Sequence, residues 1–238
     1  MADNPTSLGF DRFRPARSAP PDAVFFDFDG VIADTENIHI AAWEETLGEI
    51  GWELDDIDCS PAASIDDRVF FAEFLASRGV TDGDIEGWTA RKQRRTIEAL
   101  SRDPRIFPGV VEIVRALYDI IPLAVVTGTW RENVETALRT AGILDAFLMI
   151  VAKDDVKRPK PAPDCYRLAL SSLGVASFRA AAIEDSITGY ESATAAGMTC
   201  YLVGDRIAAE DRPPGAPVLE SLADPRYVLR TLGFTDLQ

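Results

Sequence analysis

The chain has 238 residues, 47% of them hydrophobic, with 24 basic against 39 acidic side chains and a formal net charge of -15 at pH 7. That length accommodates one large domain, or a core carrying an insertion, with enough apolar material to bury a real interior. The charge opposes polyphosphate backbones and no apolar run approaches the roughly 18 residues of a membrane span, so neither nucleic acid nor membrane is expected as a partner. Cys59, Cys165 and Cys200 are far apart and odd in number, which suits a reducing compartment and predicts a soluble, unexported, cytoplasmic protein.

Taken in order, residues 1–20 place Pro5, Pro15 and Pro20 among small and charged residues and read as a flexible N-terminal extension. An arginine-bearing presequence is the rival reading, opposed by Asp3 and Asp11. Residues 23–28, A-V-F-F-D-F, are too short a run for a helix and rich in strand formers, as a buried parallel strand should be. Beyond it no strand pattern occurs until about residue 103. Instead Ile40, Trp43, Leu47 and Ile50, then Phe70, Phe71, Phe74 and Leu75, keep helical spacing. The span 39–103 is expected to form a helical cap inserted after the first strand, with Trp43 and Phe70 in its interior; 21–38 and 104–238 form the core. Further strand-like runs at 123–127, 147–152, 180–183 and 199–203 alternate with helical patterns, such as Tyr166, Leu170 and Leu173 ahead of Gly174. This alternation predicts an α/β fold built on a doubly wound parallel sheet.

Ligands of such sheets bind beyond the carboxyl ends of the strands. The first predicted strand ends in Asp27-Phe28-Asp29-Gly30-Val31, two carboxylates where strand gives way to loop. The second ends in Thr127-Gly128, a hydroxyl and a residue whose amide can approach a ligand closely. After the third comes Lys160, held among prolines in Lys160-Pro161-Ala162-Pro163-Asp164, and the fourth ends in Glu184-Asp185-Ser186. Carboxylates without thiolate or histidine favour a hard, oxygen-preferring ion, and Mg2+ is the common choice beside a phosphate. Phosphoryl transfer requires a nucleophile, a cation and donors for the equatorial oxygens. Lys160 also supplies the local positive charge that an anionic metabolite needs on so acidic a chain.

These four segments, in this order, resemble the motifs of the haloacid dehalogenase superfamily, in its phosphatase and β-phosphoglucomutase branch: D-F-D-G-V at Asp27, V-V-T-G at Thr127, K-P-A-P-D at Lys160 and I-E-D-S at Glu184. The resemblance covers roughly residues 23–205. It implies a Rossmann-like sheet with the first strand central, between those bearing Thr127 and Asp185. It implies that Asp27 attacks phosphorus to form an aspartyl-phosphate and that Asp29, with a raised pKa, is general acid and then base. Mg2+ would be held by Asp27, the main-chain carbonyl of Asp29, Asp185 and, directly or in the outer shell, Glu184. Thr127, the Gly128 amide and Lys160 would hold the phosphoryl oxygens of a small phosphorylated metabolite such as a sugar phosphate. Asp29 separates the chain from dehalogenase relatives, which carry an aromatic residue there, and from phosphonate-cleaving relatives, which carry a small one.

Hydrolysis is the expected outcome. A β-phosphoglucomutase-type mutase shares the same core and differs in whether the lid admits water; the stretch from Asp34-Thr35-Glu36 through His39 to Trp43 resembles the lid entrance of both. A phospho-receiver domain uses a similar acidic pair with Thr and Lys but is shorter, and a silent binding module need not retain every catalytic group. Three further features are set aside: His39 reads as a packing or capping residue, Arg91-Lys92-Gln93-Arg94-Arg95 as a solvated helix face, and Arg68, beside Asp66 and Asp67, has a slightly better case than that cluster as a substrate contact.

Overall fold

A computed structural model describes residues 19–55, 66–80, 83–204 and 206–237. Cys59, nearly all of the 1–20 extension and parts of the 39–103 span lie outside the described residues. In chain order the elements are β1 (Ala23–Phe26), α1 (Glu36–Gly48), α2 (Asp67–Ser77), α3 (Ile85–Arg102), α4 (Val110–Leu117), β2 (Leu123–Val126), α5 (Arg131–Thr140) and β3 (Met149–Val151). They continue with α6 (Asp164–Leu173), β4 (Ala180–Glu184), α7 (Ile187–Ala195), β5 (Thr199–Val203), β6 (Val218–Leu219) and α8 (Pro225–Thr231).

The strands form one sheet in the order β3-β2-β1-β4-β5-β6, every pairing parallel. Strand β1 has no exposed position because both of its faces are covered, which is why it reads as an unbroken apolar run rather than an alternating one. Its alternate side chains enter different layers. Val24 and Phe26 pack with Val110, Ile113 and Val134 from α4 and α5; Ala23 and Phe25 pack with Tyr166, Ala169 and Ala193 from α6 and α7. The expected α/β doubly wound sheet is therefore present, with β1 between β2 and β4. Strand β6 is an addition to the predicted set. Two residues between Pro217 and the following loop are too few to leave a periodic signal, and pairing with Leu202 and Val203 alone defines them.

Among the described residues, α1, α2 and α3 form the cap, between β1 and α4. Trp43, Leu47, Phe70, Phe71, Phe74 and Leu75 form an apolar cluster separate from the sheet layers, with the Trp43 ring 5.0 Å from Phe70 and 5.4 Å from Phe71. Trp43 and Phe70 thus sit where their helical spacing put them. The chain leaves the core and returns to it side by side: Ala33 bridges Ile106, Asp34 N donates to Arg105 O at 2.9 Å, and Phe107 N donates to Ile32 O at 2.9 Å. Along α3 the buried positions are Thr89, Lys92, Thr96 and Leu100, one stripe of a helix. Lys92 is buried, so the solvated-face reading of 91–95 fails at that residue. Among the described residues no helix is long and apolar enough to cross a membrane.

Candidate active site

Register sets the site. Phe26 pairs with Ile183 of β4 and with Val125 of β2, so Asp27, Thr127 and Glu184 emerge at the same end of the sheet. Asp27 N donates to Ile183 O at 3.0 Å and Thr127 N to Val151 O at 2.9 Å, extending both ladders to the residues that carry chemistry. Lys160 comes from the loop ahead of α6, next to a cis peptide with Pro161. Its ammonium lies 3.0 Å from Asp27 Oδ1 and donates to Glu184 Oε1 at 2.7 Å and to Val126 O at 2.9 Å, tying together the ends of β1, β4 and β2. Burial alone would lower the Lys160 pKa, but the Asp27 and Glu184 carboxylates outweigh it and hold the amine above its usual value.

Glu184 is fully buried, and Tyr166 Oη donates to its Oε1 alongside Lys160. Burial, reinforced by Asp27, pushes Glu184 up to about 8 against the pull of Lys160. Asp185 rises to about 7, through burial and then the charges of Asp27 and Asp29. One carboxylate oxygen from each of Asp27, Glu184 and Asp185 lies within 4.8 Å of the others. Glu184 and Asp185, acids that retain protons near neutrality, are crowded against Asp27; the three offer only hard oxygen donors, with Glu184 Oε2 buried and unpartnered, and suit an oxygen-preferring divalent ion such as Mg2+. Gly30 makes this approach feasible: it has φ +76°, and a Cβ there would fall 1.7 Å from Asp185 Oδ2.

Asp29 faces the cap. Thr35 Oγ1 donates to Asp29 Oδ1 at 2.5 Å, while Thr127 Oγ1 lies 3.5 Å from Oδ2. Burial and the neighbouring Asp27 charge raise Asp29 to about 6, with the Thr35 bond opposing. Beyond Thr35 sits His39, its Nε2 4.0 Å from Asp29 Oδ1 and its Nδ1 2.8 Å from the Lys92 ammonium. Burial and Lys92 push His39 down to about 3, so the ring is neutral at pH 7. Because an ammonium only donates, Nδ1 accepts and the ring proton resides on Nε2, toward Asp29. Lys92 is anchored by Asp67 at 2.6 Å.

The sequence-predicted residues Asp27, Lys160, Glu184 and Asp185 form one cluster, and Asp29 and Thr127 stand beside it. Gly128 is exposed, and a Cβ there would meet nothing within 4 Å, so the space beside its amide is open. Sequence reasoning placed Thr35 and His39 at the lid entrance without a role, and missed Lys92 and Tyr166 as neighbours of the site. The stripe Thr89, Lys92, Thr96 was the available signal for Lys92; Tyr166 was legible as helix core, but nothing local to it points to Glu184.

A parallel sheet whose central strand ends in an aspartate, with a helical cap inserted directly after that strand and a carboxylate–amine cluster at the strand ends, defines the capped haloacid dehalogenase fold. Residues 24–203 match the family described as haloacid dehalogenase-like hydrolase, and the chain belongs to that family, in its phosphatase and β-phosphoglucomutase-like branch. It is 34% identical to protein CbbY of Rhodobacter capsulatus over 208 residues, 79% of this chain and 90% of the relative. It is also 32% identical to the fructose-1-phosphate phosphatase YqaB of Escherichia coli (strain K12), covering 74% of this chain and 92% of that one. The crystal structure of a CbbY variant from Rhodobacter sphaeroides in complex with xylulose-(1,5)bisphosphate superposes with a TM-score of 0.73 at 32% identity, covering 86% and 96% of the two chains.

Proposed function

We propose that the chain is a cytoplasmic, Mg2+-dependent phosphatase that hydrolyses a small sugar phosphate or similar metabolite through an aspartyl-phosphate on Asp27, under a cap spanning 39–103. The observation that carries this reading is the Lys160 ammonium bridging Asp27 and Glu184 at 3.0 and 2.7 Å, with Asp185 in reach of both carboxylates. An Asp27 oxygen attacks phosphorus as the ester oxygen departs, and Asp29, raised to about 6, protonates that oxygen. Water then cleaves the acyl phosphate, giving its proton to the same carboxylate. Thr127 Oγ1, the Gly128 amide and Lys160 hold the phosphoryl oxygens, and Lys160 offsets the repulsion between nucleophile and substrate. Asp27, the Asp29 carbonyl and Asp185, with Glu184 direct or in the outer shell, would hold Mg2+, which when bound would supply charge neutralisation at the transferring group. The YqaB relative's activity on fructose 1-phosphate and the bisphosphate bound to CbbY support a sugar phosphate as substrate.

Phosphate release from a panel of sugar and short-chain phosphomonoesters tests this. Release that needs Mg2+ and is abolished by chelation is expected. Conversion of β-glucose 1-phosphate to glucose 6-phosphate without phosphate release would instead establish the mutase reading.

A further inference from the structure

The two carboxylate oxygens of Glu184 are not equivalent. Oε1 accepts from the Lys160 ammonium at 2.7 Å and from Tyr166 Oη, whereas Oε2 is buried without a partner. A carboxylate oxygen offers two lone pairs, so these two donors fill Oε1. Resting on the metal assignment proposed above, we infer that Tyr166 is a positioning residue for ion selectivity: by occupying Oε1 it limits Glu184 to a single oxygen toward a bound cation, and so favours Mg2+ over Ca2+.

Two features of the packing hold this arrangement in place. The first fixes the donor. Tyr166 is fully buried on α6, its ring is nearly parallel to that of Phe25 at an interplanar angle of 7°, and the Lys160 ammonium lies 5.5 Å from its ring centroid. The layer around it is built from apolar residues such as Val126, Ala169 and Ala182, and within that layer Glu184 is the acceptor that its hydroxyl reaches. A buried phenol keeps such a partner, because leaving the hydroxyl unbonded is unfavourable. The second feature fixes the acceptor. Glu184 is fully buried, and a Cβ on Gly189 of α7 would fall 1.8 Å from Oε2 and 2.2 Å from the carboxyl carbon. The α7 backbone therefore packs directly against the carboxylate and opposes its rotation away from Lys160 and Tyr166.

The chemistry of the two ions turns this into selectivity. Ca2+ takes roughly six to eight oxygens in flexible geometry and draws on bidentate carboxylates, whereas Mg2+ demands a near-ideal octahedron, whose right angles the two oxygens of one carboxylate are too close together to span. An acid restricted to one oxygen leaves Mg2+ coordination intact and denies Ca2+ a ligand. Asp27, Glu184 and Asp185 each bring an oxygen to the cluster, so a ligand withheld at Glu184 is a large share of what the side chains can supply.

The test is calorimetric titration of the full chain with Mg2+ and, separately, with Ca2+, in the absence of substrate. In Tyr166→Phe, which keeps the ring and frees one lone pair of Oε1, the ratio of the Ca2+ to the Mg2+ dissociation constant should fall by about tenfold. A merely structural role would weaken both ions alike, and an unmoved ratio would overturn the inference. Glu184→Gln carries an amide with one oxygen, so adding Tyr166→Phe to it should leave the ratio where Glu184→Gln set it; the same fall in that background would place the effect of Tyr166 elsewhere and overturn the inference as well. If Tyr166→Phe does not fold, infrared difference spectra of the unmodified protein read the same property, with the Glu184 bands identified by their loss in Glu184→Gln. The band splitting of a monodentate carboxylate is expected with both ions, and a bidentate pattern with Ca2+ would overturn the inference. Binding of neither ion by the unmodified protein would refute the metal assignment and the inference with it, whereas binding with an unmoved ratio refutes the inference alone.

Discussion

The side chain that Gly30 lacks would overlap Asp185, its Cβ falling 1.7 Å from Oδ2 across 155 positions of sequence. The glycine of the first motif is therefore set by the acid of the fourth as much as by its own φ of +76°. Gly30→Ala adds left-handed backbone strain of about 1–2 kcal/mol and displaces the Asp185 carboxylate. Mg2+ affinity, read from the metal dependence of phosphate release or by calorimetry, should fall by at least ~10-fold. Unchanged affinity would mean that Asp185 has no part in holding the ion.

Glu184 and Asp185 rise from reference values of 4.5 and 3.8 to about 8 and about 7, chiefly through burial. The folded state therefore binds their protons more tightly than the unfolded chain does. The resulting stabilisation is complete below about pH 4 and disappears as pH rises through the folded values. Lys160, protonated throughout, does not titrate in this window. Through these two acids the metal-free protein loses thermal stability from about pH 4 to pH 8, opposed below about pH 6.5 by His39, whose folded value of about 3 gives a gain as pH rises, and the Tm increment produced by saturating Mg2+ should grow from about pH 4 to pH 8. Thermal melts with Mg2+ and with chelator check this, and an increment independent of pH contradicts it.

Tyr166 donates to Glu184 Oε1 while its ring stacks on Phe25 with centroids 6.3 Å apart. Tyr166→Phe keeps the ring and removes the donor. Because the bond is made to a buried acid, denaturant unfolding should show a loss of about 2 kcal/mol. A change within error would show that Lys160 alone satisfies that oxygen.

Lys92 is 1% exposed and Asp67 is 7% exposed, so the pair is buried at a separation of 2.6 Å. Lys92→Met strands the Asp67 charge and should destabilise the protein by about 3–5 kcal/mol, whereas Lys92→Met combined with Asp67→Asn should recover much of that. A double variant no more stable than Lys92→Met would locate the cost elsewhere, in the lost contact with His39.

The fold was legible because its information lies in strand ends. Asp27, Thr127, Glu184 and Asp185 each terminate or follow an apolar run, and parallel register brings such ends together without further instruction. What escaped notice depends on contacts between distant elements. Thr35 occupies the N-cap position of α1, where a hydroxyl ordinarily accepts from its own helix; here it makes no such bond and donates to Asp29. Lys92 sits among arginines in sequence, and only the phase of α3 turns it inward with Thr89 and Thr96. Strand β6 carries two residues, below the length at which any period can be read.

The proposed transfer of the phosphoryl group to Asp27 can be tested directly. The protein is mixed with Mg2+ and a turned-over sugar monophosphate, quenched in acid within one turnover and digested for mass spectrometry. One added phosphoryl mass on the peptide containing Asp27 is expected, absent from Asp27→Asn, which also releases no phosphate. Phosphate release by Asp27→Asn at a rate near that of the unmodified protein, or a label on any other residue, would contradict the account.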